Sequence, residues 1–130
     1  MVKTIFFHPP EFFPPMDFFF GILNYDLWVA IDHVRFTTRS RQSRCRIKTD
    51  NGIMLLSATV KRPCNKPICN MVIDNTRRES PHWQQVFVKS VRRFYGDTLF
   101  YPTYSGELFS FIESPNVLLE TLTLKTCLWA

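Results

Sequence analysis

His8, Asp32 and His82 are the residues of this chain best suited to proton chemistry. His8 follows a short apolar segment, Asp32 and His33 follow a second, and Asp74 and Asn75 follow a third. In an open α/β sheet the loops at the carboxyl ends of strands converge on one rim, so these groups are candidates to share a site. His82 and Trp83 stand where a helix is predicted to start, and backbone N–H groups there favour anions. Guanidinium groups would come from residues 32–49, which carry six of the sixteen Lys and Arg side chains beside a single carboxylate. The end of that stretch, Arg44-Cys45-Arg46-Ile47-Lys48, has the two-residue period of a half-buried strand with its cations on one side. Arginine presents a planar fork of donors that matches phosphate or carboxylate oxygens in pairs. An imidazole and a carboxylate beside a bound anion are the parts that proton transfer needs.

Each of these residues also has a purely structural reading. His8 can satisfy a loop carbonyl, and Asp32 can cap its strand or pair with Arg35. His82 and Trp83 can be a helix start and a core aromatic. The basic strand can be a solvated edge, charged against sheet-to-sheet aggregation.

The elements that must position these groups follow from turn chemistry and periodicity. Thr4–Phe7 reads as a short buried strand stopped by His8-Pro9-Pro10, because two prolines block both helix and ladder. Pro14-Pro15 precedes a helix over Met16–Tyr25, with Asp17 complementing its positive end. Leu27–Ile31 has the continuous apolar pattern of a second buried strand. Asn51-Gly52 supplies the positive φ of a tight turn, so the basic strand and Ile53–Val60 form a hairpin. Ile68–Ile73 reads as a further strand. Ser80-Pro81 reads as N-cap and first-turn proline of a helix running to Tyr95, with Trp83, Val86, Phe87, Ser90, Val91 and Phe94 on one side. Gly96 ends it. A short helix is expected over Glu107–Ile112 and a last one over Asn116–Trp129. The order is that of an α/β fold: a single small domain with a mixed, mostly parallel sheet, a basic β-hairpin and flanking helices.

With 130 residues, 45% of them hydrophobic, the chain can bury one core. The net charge of +5 is concentrated. From Arg35 to Arg93 there are 14 Lys or Arg against Asp50, Asp74 and Glu79, a balance of +11 that draws anionic partners. Thirteen phenylalanines crowd toward the start, but prolines and carboxylates interrupt them. No apolar run approaches the roughly 20 residues of a spanning helix, and no signal-peptide pattern precedes them, so a cytoplasmic location is expected. Cys64 and Cys69 have C-x4-C spacing without a second pair of ligands, which predicts no metal site. The chain carries no Gly-x-Ser-x-Gly elbow and no Gly-rich phosphate loop.

Three stretches together carry a family resemblance: Phe7-His8-Pro9-Pro10-Glu11-Phe12-Phe13-Pro14, Ala30-Ile31-Asp32-His33-Val34-Arg35-Phe36, and Arg39-Ser40-Arg41-Gln42-Ser43-Arg44-Cys45-Arg46-Ile47-Lys48-Thr49. This chain resembles the WbqC-like proteins, whose pattern reads His-Gln-Pro-x-Tyr-Phe-Pro, Asp-Asp-Val-x-Phe and Lys-Arg-Ser-x-Gln-Asn-Arg-x-Arg-Ile. Asn51-Gly52, Pro81-His82-Trp83 and Leu118 through Trp129 fall in matching order. Pro9, His33, Ser43 and Asp17 depart from the pattern. The resemblance implies a bacterial protein of O-antigen or other surface-polysaccharide biosynthesis, with transfer of a glycyl or similar acyl group to a sugar as the implied reaction. It also implies that residues 1–130 are the N-terminal portion of the family's usual length. Carried over residue by residue, it makes His8, Asp32 and His82 the catalytic candidates and Arg39, Gln42, Arg44, Arg46 and Trp83 the substrate-binding ones.

The leading expectation is therefore a transferase that takes an anionic small-molecule donor, a sugar nucleotide or an acyl phosphate; no cofactor is specified. The alternatives are a non-catalytic basic module that binds nucleic acid through the hairpin, or an inactive truncated remnant. Leu118, Leu122, Leu124 and Trp129 form a candidate apolar patch for self-association through the last helix.

Overall fold

Two prolines that cannot donate backbone hydrogen bonds, Pro14 and Pro15, set the start of the first helix, and much of the architecture follows from how the chain enters and leaves it. The computed structural model describes residues 1, 3–76 and 82–129. Strand β1 (Ile5–His8), helix α1 (Met16–Asn24) and strand β2 (Leu27–Ala30) form a β-α-β unit whose strands pair in parallel, with Ile5 beside Leu27 and His8 beside Ala30. A crossover through a helix leaves parallel pairing as the available geometry. Asp26 pins the entry to both strands, accepting hydrogen bonds from the backbone of Lys3 and Thr4 and from the Thr4 hydroxyl at 2.9–3.0 Å. Those bonds, the Thr4 hydroxyl first, hold its carboxyl below the usual range.

Helix α1 covers one face of this pair. Phe18 meets the rings of Phe6, His8 and Trp28 edge-on at centroid distances of 5.2–6.1 Å. Gly21 permits that approach, since a Cβ there would lie 2.5 Å from the Phe6 ring. The opposite face is open: Ile5, Phe7 and Leu27 are 41%, 60% and 44% exposed. Both strands were expected to be buried. The unit has two strands and one helix, and no element among the described residues covers its second face.

Strands β3 (Arg44–Thr49) and β4 (Gly52–Ser57) form the expected antiparallel hairpin, closed by Gly52 at φ +118°. Its Cys45 and Leu56 point into the core. The strands thus lie in two separate two-stranded sheets, one parallel and one antiparallel, instead of one mixed sheet. The α/β class and the hairpin stand.

The predicted strand Ile68–Ile73 is a 3-10 turn at Ile68–Asn70 followed by isolated bridges. Its N–H groups go to different segments: Ile68 to Val34, Cys69 to Asp32 and Ile73 to Val117. A segment wired to several partners cannot run a single ladder. Its apolar side chains are still core, with Ile68, Met71 and Ile73 at most 1% exposed.

Helices α2 (Trp83–Tyr95), α3 (Tyr101–Glu113) and α4 (Leu119–Trp129) close the core from the other side. The Ser80-Pro81 start expected for α2 lies outside the described residues. Helix α3 is longer than predicted. Pro102 sits in its first turn, where proline is tolerated, and Gly106 faces open space, so neither breaks it. In α4, Thr123 and Thr126 are fully buried, although β-branched residues weaken isolated helices. Their hydroxyls explain their place: Thr123 donates to Glu120 O (2.9 Å) in the preceding turn, while Thr126 shares its one proton between Thr123 O (2.8 Å) and Glu11 O (3.0 Å) and accepts from Phe13 N–H (3.0 Å), tying α4 to the proline loop. Of the apolar patch expected on α4, Leu122 is fully buried and Leu118 is 37% exposed.

Candidate functional site

The loop between β2 and β3 is cross-linked by its own side chains. Ser40 Oγ donates to Thr37 O (2.6 Å), and Thr37 N–H donates to Gln42 Oε1 (2.8 Å). Gln42 therefore shapes the loop with its own side chain. Arg39 stands at φ +63°, a left-handed conformation that a non-glycine residue adopts only when its surroundings impose it. Phe12 N–H donates to Arg41 O (2.9 Å), which joins this loop to the proline loop.

These connections bring four arginines to one cleft of about 530 Å3: Arg39 and Arg41 from the loop, Arg44 and Arg46 from β3. Its opposite wall is Phe13, Pro14 and Pro15, with Leu55 on the floor. Phe13 is the other non-glycine residue at positive φ (45°), so both such positions among the described residues line the same cleft. A second cleft of about 610 Å3 adjoins it, sharing Arg39 and Arg44 and adding Arg62 with the hydroxyl residues Thr38, Ser43, Ser57 and Thr59. No carboxylate among the described residues lines either cleft, and Arg39, Arg44, Arg46 and Arg62 make no ion pair among them. Cys45 also lines the first cleft, but burial pushes its thiol up to about 12, so it stays protonated and unreactive.

Arg41 behaves differently. Its Nε lies 3.2 Å from Glu11 Oε1 and its Nη1 lies 2.9 Å from Asp17 Oδ2. The hydrogen bond from Arg41 holds the Asp17 carboxyl below the usual range. Glu11 is buried, with a side chain only 5% exposed. Burial pushes its carboxyl above the usual range, against the opposing pull of Arg41 and His8. Its Oε2 is buried without a hydrogen-bond partner among the described residues.

His8 completes the chain. Its Nδ1 lies 2.8 Å from Pro9 O, and a carbonyl only accepts, so Nδ1 carries a proton. Its Nε2 then faces Glu11 Oε1 at 3.5 Å. His8 does not line either cleft; it connects to the first through Glu11 and Arg41.

The other expected catalytic residues sit elsewhere. Asp32 lies two residues beyond β2 and interacts with Glu120 at the start of α4 and with His33 at 3.9 Å. Burial first, and then the hydrogen bond and charge of Asp32, raise the Glu120 carboxyl. His82 is the N-cap position of α2, and Trp83 is 7% exposed, packed edge-on against Phe12 at 6.3 Å. His82 Nε2 and Trp83 Nε1 are buried without partners among the described residues. Asp32, His82 and Trp83 line neither basic cleft, and Gln42 borders them only through the loop it shapes. The structure thus gathers Arg39, Arg44 and Arg46, attaches His8 indirectly, and separates Asp32, His82 and Trp83 from them.

Glu11, Arg41 and Arg62 were not singled out from the sequence. The signal for Glu11 was its position three residues after His8 in a rigid Pro-Pro loop, which keeps the two side chains close. Nothing local marks Arg62. Among the described residues no group of three or more His, Cys, Asp or Glu is placed to hold a metal ion, and no helix is long and apolar enough to cross a membrane.

Fold and site define a small α/β domain with a basic hairpin whose arginines face a pair of clefts. The chain belongs to the WbqC-like protein family, whose model matches residues 9–129. Every candidate residue except His8 falls inside that span. Searches of curated proteins and of solved structures returned no match.

Proposed function

We propose that this WbqC-like protein binds an anionic small-molecule donor in the arginine-lined clefts and acts as a transferase in O-antigen or related surface-polysaccharide biosynthesis. One observation carries the binding half of the proposal: Arg39, Arg44 and Arg46 converge on one cleft and have no carboxylate partner among the described residues. Cations held together without counter-charges repel one another, and an anion relieves that repulsion. The side-chain hydrogen bonds within Thr37–Gln42 restrain the loop, which lowers the ordering cost of binding. The polysaccharide context rests on family membership and on the motif resemblance. Proton transfer is assigned to the His8–Glu11 pair, with Arg41 as a fixed cation that holds Glu11 against the cleft wall.

Thermal melts of the full chain with inorganic phosphate, acetyl phosphate and UDP-glucose test the binding. At least one anion should raise Tm, and the rise should vanish in Arg44→Ala. If none does, while an oligonucleotide binds with affinity that falls steeply as salt is added, the nucleic-acid alternative replaces this proposal.

A further inference from the structure

We infer, resting on the anion-binding reading above, that the donor is a nucleoside diphosphate sugar, bound with its pyrophosphate across Arg39 and Arg44, its nucleoside in the first cleft and its sugar in the second. An acyl phosphate or single phosphate would occupy one cleft. Here two clefts meet, and the residues common to both are two arginines with no carboxylate partner among the described residues. A pyrophosphate bridge carries two negative charges, one for each guanidinium fork.

The outer walls differ in the way the two ends of such a ligand differ. The first cleft offers Pro14, Pro15 and Leu55, rigid or apolar surface on which a flat base loses little by leaving water. Leu55 is 54% exposed on β4, directly opposite Arg46, whose guanidinium can stack on an aromatic base. The second cleft offers the hydroxyls of Thr38, Ser57 and Thr59 beside Arg62, donors and acceptors of the kind a sugar needs. Each cleft lies within the 300–1,000 Å3 range typical of ligand pockets, and neither alone has to hold the whole molecule. The positive-φ backbone at Phe13 and Arg39 supports the assignment, since strain of this kind collects where a ligand must be met in one geometry.

Calorimetric titration of the full chain with inorganic pyrophosphate, acetyl phosphate, UDP, UDP-glucose, GDP-mannose and dTDP-glucose tests this, with melts verifying that each variant folds. At least one sugar nucleotide should bind about tenfold or more tighter than pyrophosphate, and Arg44→Ala should weaken it about 10- to 100-fold, the worth of one charge-assisted phosphate contact. Leu55→Ser should weaken the nucleotides about threefold to tenfold and leave pyrophosphate unchanged. Thr59→Val combined with Arg62→Ala should weaken the sugar nucleotide while leaving the free nucleoside diphosphate unchanged. If acetyl phosphate or pyrophosphate binds in an Arg44-dependent manner and no nucleotide binds tighter, the inference fails while the anion-binding reading survives. If no probe binds, both fail.

Discussion

Arg41 and Arg44 lie on one cleft wall, yet they are in opposite electrostatic situations. Arg41 is committed: it spans buried Glu11 and exposed Asp17, and through Glu11 it is linked to His8. Arg44, like Arg39 and Arg46, has no carboxylate partner among the described residues. The compensated side of the site holds the proline loop in place, and the uncompensated side is the one proposed to meet a ligand. Residue type and proximity to a pocket would have ranked these arginines together; their partners separate them.

The strongest way to break this contrast is to cut the support beneath the compensated side. Thr126→Val keeps the shape of the side chain but leaves the half-buried Phe13 N–H without its acceptor and the Glu11 carbonyl with Cys127 Sγ (3.3 Å) as its remaining donor, which should cost about 1–2 kcal/mol and lower Tm by about 5–10 °C. A Tm within two or three degrees of wild type, about half a kcal/mol, would mean that other contacts hold the loop.

Arg41→Ala should come next, at about 1–2 kcal/mol, discounted because the Arg41 side chain is half exposed. Arg44→Ala should show the inverse pattern: a stability change within about 0.5 kcal/mol, measured by urea denaturation, but loss of anion binding. Equal stability losses in the two variants would erase the distinction.

The smallest effect concerns pH. Burial raises the Glu11 carboxyl, so the folded state binds more protons than the unfolded one between its ordinary and its raised pKa, and stability falls as pH rises through that window. Glu11→Gln removes this term. The Tm of the variant relative to wild type should therefore improve as pH is raised from about 4 toward neutrality. Asp17 and Asp26 work in the other direction, since their lowered carboxyls contribute stability above the ordinary range and lose it as acid titrates them. A difference between variant and wild type that is flat with pH would show that Arg41 and His8 cancel the cost of burying Glu11.

Local chemistry made much of this protein legible. The Asn51-Gly52 turn requires positive φ and so marks the hairpin, and the alternation from Arg44 to Lys48 needs only the two-residue period of a strand. Pro14-Pro15 before an apolar run sets the start of α1. The family motifs covered the chain from its opening loop to its last helix, in agreement with the match over residues 9–129.

The α/β class, the hairpin, the helices and the surplus of cations in the middle of the chain are encoded locally, because turn preference, periodicity and charge act over a few residues. Tertiary structure alone decided which arginines are paired, that Ile68–Ile73 divides its hydrogen bonds among several segments, and that Asp32 faces Glu120 instead of the basic clefts. Those outcomes depend on contacts between residues far apart in the chain, such as Arg41 with Asp17 and Thr126 with Glu11, which no local preference encodes.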